Sequence, residues 1–185
     1  TDAGCDKGAV LQNAAPPLFA DAADLEQWSS TRMCTSLGRV DIAGLRGQTC
    51  YLGVDSGSTT TKILLIDSGG RIAFTHYANN KGEPITAVSS GLRELRRQAG
   101  EDCGGILIAG SAVTGYGEDL IRAAFGLDEG IVETLAHYRA AREFNPDVSF
   151  ILDIGGQDMK AIFIEDGQVS PAVTPVPVIR TPLAF

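Results

Sequence analysis

The sequence predicts an α/β domain in which a mixed sheet opens with a three-strand antiparallel meander and is flanked by helices. Three features predict it. Short apolar runs end at an Asp followed by glycine and small polar residues. Stretches with apolar residues at helical spacing separate the later runs. The pattern strand, Asp, glycine-rich turn, strand occurs twice, as YLGVDSGSTTTKILLID and FILDIGGQDMKAIFIED, which marks an internal repeat.

Residues 1–49 read as a connector with short helices. Pro16 and Pro17 disfavour helix just before them. Asp21 or Asp24 then caps a short helix with Leu25 and Trp28 on one side. Regular structure starts at Cys50. CYLGVD is a buried strand feeding a turn and TKILLID is a second strand. Ser68-Gly69-Gly70 turns the chain into a third strand, RIAFTHYA. Pro84 opens a helix running to about Gln98, with Ile85, Val88, Leu92 and Leu95 at helical spacing and Gly100 at its end. GGILIAGS is a fourth strand. Helices follow at 118–125, with Leu120, Ile121 and Phe125 as the apolar face, and at 133–144, stopped by Asn145-Pro146. VSFILDIGGQD and MKAIFIEDGQV form the second strand pair. The expected division is a connector at 1–49, a first subdomain at 50–146, the start of a second at 147–170, and a Pro-rich tail at 171–185.

The 185 residues carry a net charge of -8. That balance argues against a nucleic-acid partner, because phosphate backbones need clustered Lys and Arg. Arg93, Arg96 and Arg97 form the densest basic group and read as the wet face of a helix. No stretch is long and apolar enough to span a membrane, and the first residues lack the basic-then-apolar order of a signal peptide. The absence of Met at position 1 suggests a fragment. Cys5, Cys34, Cys50 and Cys103 include no CxxC pair, so they read as unrelated thiols in a reducing, cytoplasmic setting.

The two hairpins carry the chemistry. In the first, Gly57 allows close backbone approach to a ligand, and successive amides of a tight turn make an anion-binding concavity. Ser58, Thr59 and Thr60 add hydroxyls and Lys62 a positive charge, a set suited to the β- and γ-phosphates of a nucleotide. Asp55 would act through Mg²⁺ or an ordered water, since hard cations prefer carboxylate oxygens. In the second, Gly155 and Gly156 allow phosphate approach, and Asp153, Gln157 and Asp158 supply the polar groups. Two such hairpins facing each other would clamp a Mg-nucleotide. Neither a GxxxxGK[ST] loop nor a GxGxxG after a strand occurs.

DSGSTTTK, SAVTGYGEDL, the ETLAH stretch at 133–137 and DIGGQDMK follow in that order. Over about residues 50–170 the chain resembles the activase ATPases of 2-hydroxyacyl-CoA dehydratases and the ATPase subunits of benzoyl-CoA reductases. These belong to the superfamily of acetate and sugar kinases, actin and heat-shock chaperones. The resemblance implies a ribonuclease H-like, actin-like ATPase domain. It implies ATP and Mg²⁺ as ligands, with phosphate contacts at Gly57, Ser58, Thr59, Thr60, Lys62, Gly155, Gly156 and Asp158. It makes Asp55, Asp153 and Gln157 the catalytic candidates, with Asp55 and Asp153 near Mg²⁺ through water. In that family a homodimer couples ATP hydrolysis to electron transfer from a [4Fe–4S] cluster to a dehydratase or reductase component. The cluster's Cys ligands follow the second phosphate motif. Here that stretch is SPAVTPVPVIRTPLAF, without Cys, so the resemblance implies neither the cluster nor a complete ATP site on these residues. GAVLQNAA and PLFADAADLEQW resemble the junction between tandem activase units. Two alternatives stay open: a small-molecule kinase of the same superfamily, and an inactive truncated fragment that binds nucleotide weakly or mediates assembly.

Smaller features read as follows. Glu133 and His137 share a helix face, a surface contact rather than a metal pair by spacing alone. Thr114-Gly115-Tyr116-Gly117 is either a tight turn or a helix start facing an anion. His76 lies in a strand and calls for no functional account.

Overall fold

A computed structural model describes residues 17–31, 37–100, 105–155, 159–170 and 174–176. The chain divides into two units, Thr1–Ser36 and Leu37–Phe185. In the first, α1 (Ala22–Thr31) starts where the Asp21 carboxylate accepts the Asp24 amide at 2.8 Å. The Phe19 and Trp28 rings pack tilted at 60° with centroids 5.3 Å apart, and no residue of α1 is buried. This helix therefore contributes no core.

The second unit is built on a five-stranded mixed sheet. Its strands are β1 (Thr49–Ser56), β2 (Thr60–Asp67), β3 (Ile72–Asn79), β4 (Leu107–Thr114) and β5 (Glu129–Gly130). Their order is β3-β2-β1-β4-β5. The first three pair antiparallel as the meander, while β4 lies parallel to β1 and β5 parallel to β4. A parallel pair needs a crossover, and α2 (Pro84–Ala99) supplies the one from the meander to β4.

Side-chain alternation decides the faces. In β1, Leu52, Val54 and Ser56 point inward, and in β2, Thr61, Ile63 and Leu65 do. Leu52, Val54, Ile63 and Leu65 meet Val88 and Leu95 of α2 and Ile121 of α3 (Glu118–Phe125) in one cluster. Each such aliphatic side chain contributes roughly 1.5–3 kcal/mol on burial. The buried residues of α2 are Ala87, Val88, Gly91 and Leu95, while Ile85 is exposed. Gly91 stands at the closest approach of helix and sheet: a Cβ there would sit 2.5 Å from Ile63 Cδ1. On α3, Ile121 is fully buried, whereas Leu120 faces outward. Gly100, at φ 91, ends α2.

Helix α4 (Glu133–Phe144) leads to a second sheet. Strands β6 (Phe150–Ile154), β7 (Met159–Glu165) and β8 (Gln168–Val169) pair in that order, and β9 (Thr174–Val176) also pairs with β7. Ile162 is fully buried, and the buried Tyr138 of α4 donates its hydroxyl to the Gly167 carbonyl at 2.8 Å. Where the sequence reads a Pro-rich tail, Thr174–Val176 forms a paired strand, with Pro175 opposite Lys160. Proline is tolerated there because, among the described residues, β9 pairs with β7 alone and lies at the sheet edge. The rest of 171–185 lies outside the described residues.

Candidate functional site

The alternation that sends Val54 and Ser56 into the core places Asp55 on the opposite face of β1. Register places Lys62 of β2 directly across from it. Lys62 Nζ donates to Asp55 Oδ2 at 2.7 Å, with the two side chains 55% and 31% exposed. The hydrogen bond to Asp55 raises the Lys62 pKa, against partial burial, which lowers it. Lys62 is thus held charged and pointing at the hairpin's open face.

The turn between these strands is fixed from below. The Gly57 amide donates to the Thr60 carbonyl at 2.9 Å. Asn80, nearly fully buried, donates its side-chain amide to the Gly57 carbonyl at 2.7 Å and accepts from Thr61 Oγ1 at 2.6 Å. The Asn80 backbone amide reaches the Thr59 carbonyl at 2.8 Å. These bonds hold Ser58 and Thr59 exposed at the tip.

The turn after β4 supports the same hairpin. Gly115 has φ 97, and a Cβ on it would lie 2.6 Å from the Ser56 carbonyl oxygen. The Gly117 amide donates to that oxygen at 3.1 Å. Between the two readings of Thr114–Gly117, the geometry favours the tight turn. Glu118 and Asp119 occupy the first turn of α3, where their charge opposes an anion.

The second hairpin repeats the first. Asp153 of β6 stands across from Lys160 of β7, as Asp55 stands across from Lys62. Around this pair gather two side chains of α4. Lys160 Nζ donates to Glu133 Oε2. His137 Nε2 lies 3.5 Å from Asp153 Oδ2 and 3.9 Å from Glu133 Oε1. The spacing of Glu133 and His137 reads as a surface contact in isolation; folding adds Asp153 from a different element.

Two cavities flank the constellation. One, of about 340 Å³, is lined by Gly57, Ser58, Gly115, Glu133 and Lys160 among others. The other, of about 450 Å³, lies between the outer face of β1–β2 and α4, with Asp55, Lys62, Thr114 and His137 in its walls. Of the expected site residues, Asp55, Gly57, Ser58, Thr59, Thr60 and Lys62 share the first hairpin. Asp153 is the penultimate residue of β6 and Gly155 follows that strand, exposed. Gly156, Gln157 and Asp158 lie outside the described residues. Sequence reasoning passed over two participants. Lys160 was signalled by the repeat itself, whose aligned halves each contain a Lys. Asn80 had no local signal, because its partners Gly57 and Thr61 are far along the chain.

The model of the BadF/BadG/BcrA/BcrD ATPase family matches residues 52–173. A protein of Escherichia coli K12, YjiL, is 36% identical over 116 residues, covering 62% of this chain and 41% of that protein. The (R)-2-hydroxyglutaryl-CoA dehydratase activating ATPase of Acidaminococcus fermentans is 29% identical over 122 residues, 64% of this chain and 44% of its own length. Among solved structures, the activator of 2-hydroxyisocaproyl-CoA dehydratase from Clostridium difficile with bound ADPNP superposes with a TM-score of 0.53 at 30% identity. That match covers 65% of this chain and 43% of the activator. The chain therefore spans less than half the length of these relatives. Two glycine hairpins with the same Asp–Lys register, the turn after β4 and the Glu133–His137 face all lie inside the matched stretch. The chain belongs to the BadF/BadG/BcrA/BcrD ATPase family.

Proposed function

We propose that these residues form the phosphate-binding part of an activase ATPase that serves a 2-hydroxyacyl-CoA dehydratase or a related reductase. The observation that carries the reading is the repeated register, Asp55 opposite Lys62 and Asp153 opposite Lys160. Gly57, Ser58 and Lys160 line one cavity between the two hairpins. An ammonium group and a glycine turn facing one space, with Lys62 in the wall of the neighbouring cavity, suit a polyphosphate chain. The activator with bound ADPNP supports the same ligand class. The fold likeness supports an actin-like closure of two lobes on ATP.

The donor set fits Mg²⁺ held through water. Asp55 has one carboxylate oxygen engaged by Lys62 and is 31% exposed, while Asp153 is 16% exposed and lies 3.5 Å from His137 Nε2. Bound with ATP, the ion would neutralise charge on the phosphate oxygens. The chain's own residues would do the rest. Lys62 and Lys160 would orient the phosphates, Ser58 and the turn amides would hydrogen-bond them, and Asp55, Asp153 and Gln157 would position water for attack. Gly155, Gly156, Thr59, Thr60 and Asp158 would complete the two loops.

An iron–sulfur cluster does not fit these residues. Cys50 is fully buried at the start of β1, where burial raises its thiol pKa, and no Cys follows Cys103. In our reading the cluster, the homodimer contact and the dehydratase or reductase partner belong to the longer family protein, in the cytoplasm. Among the described residues, no helix is long and apolar enough to cross a membrane.

Calorimetric titration of Mg-ATP into this chain tests the reading, with Asp55→Ala and Lys62→Ala beside it. Magnesium-dependent binding that both variants weaken is the expected result. Binding indifferent to both substitutions would refute the assignment of the first hairpin.

A further inference from the structure

The relation of α4 to the end of β6 carries a second site. Glu133 and His137 stand one turn apart on α4, and Asp153 comes from β6. One ligand atom from each, two carboxylate oxygens and an imidazole nitrogen, lie within 4.8 Å of one another. The separations from His137 Nε2 are 3.5 and 3.9 Å, at or beyond the limit of a hydrogen bond. The shorter matches two ligands on one ion, and the longer lies just beyond it. Metal–nitrogen and metal–oxygen bonds of about 2.0–2.2 Å put tetrahedral ligands about 3.3–3.6 Å apart. Small side-chain rotations close the remaining gap.

We propose that Glu133, His137 and Asp153 form a site for a late first-row divalent cation, which ties α4 to β6. Imidazole with two carboxylates is a donor set for zinc-like ions rather than for magnesium, which takes oxygen and water. Local charge agrees. Glu133 and Asp153 carry two negative charges, and Lys160 on Glu133 Oε2 offsets one. A neutral imidazole leaves one negative charge for the ion to meet. Lys160 engages Oε2, while Oε1 is the oxygen that faces His137. Three protein ligands leave a coordination position for water, and the cavity of about 450 Å³ that His137 and Glu133 line provides the room.

Asp153 would face Mg²⁺ when nucleotide is bound, so this site belongs to the nucleotide-free chain and its test omits nucleotide. Co²⁺ is titrated into the chain and followed by visible absorption. One equivalent should bind with nitrogen–oxygen ligand-field bands. His137→Ala and Asp153→Asn should each weaken binding about tenfold or more. Zn²⁺ should raise the melting temperature of the parent chain and leave that of His137→Gln, which keeps the side-chain bulk, unmoved. Three outcomes overturn the site: no Co²⁺ binding, affinity unchanged in both variants, or a thiolate-to-cobalt charge-transfer band that assigns the ion to cysteine.

Discussion

Lys160 occupies the position in the second hairpin that Lys62 occupies in the first, each directly across a strand pair from an aspartate. Lys62 donates to its own hairpin's Asp55, whereas Lys160 reaches Glu133 at the start of α4. The same unit therefore does two jobs. One copy presents a charge at a turn, and the other joins strand to helix at the edge of the cavity that holds Gly57 and Ser58.

Replacing Lys160 with Met removes that charge and keeps much of the stem. A charge-assisted hydrogen bond is worth about 1.5–3 kcal/mol. Mg-ATP affinity should fall roughly tenfold or more, while the far-UV circular dichroism stays that of the parent chain. Unchanged affinity would reduce Lys160 to a strut between β7 and α4.

Asn80→Ala takes away both the donor to the Gly57 carbonyl and the acceptor for Thr61 Oγ1. Leaving buried polar groups unpaired costs about 1–3 kcal/mol, which urea unfolding would register as a lower midpoint. Adding Thr61→Val should then cost little more, because the partner is already lost. Fully additive losses would show that the two side chains do not act as a pair.

Gly115→Ala puts a Cβ at positive φ and against the Ser56 carbonyl. Backbone offers no rotamer to escape, so a loss of about 1–3 kcal/mol is expected. Because Ser56 leads into the turn proposed to bind phosphate, nucleotide affinity should fall with stability. A stable variant with parent-like binding would contradict the buttressing role of this turn.

Asp67 gives a pH signature. It is nearly fully buried at the end of β2 and accepts from the Arg71 and Gly69 amides at 2.8 and 3.0 Å and from Arg71 Nε at 2.7 Å. The Arg71 backbone bond leads in lowering its pKa. A lowered carboxylate stabilises the fold above its unfolded value of about 3.9, and that stabilisation is lost as pH falls through the native value. Asp67→Asn should therefore melt below the parent chain at pH 7, and the gap should narrow below about pH 4. A gap that persists undiminished at pH 3 would place the effect in packing rather than charge.

The paired hairpins were legible because each leaves a local trace: an apolar run, an Asp, glycine and a second run. Helix ends at 118–125 and 133–144 were legible for the same reason, since breakers and apolar spacing act within a few residues. Strand β5, only two residues long, left no such trace; it exists because Glu129 and Gly130 pair with Ala112 and Val113 of β4. The buried face of α2 also differed from the simplest spacing, because the sheet approaches closely enough to demand Gly91 rather than a larger side chain.

What the sequence by itself determined was the class of fold, the two Asp-Gly hairpin motifs and the family likeness, all carried by contiguous residues. Tertiary structure alone decided that Asn80 holds the first turn and that Lys160 joins Glu133. It also decided that His137 meets Asp153. Those contacts join residues separated by 16 or more positions, whose meeting depends on strand register and helix packing rather than on any local preference.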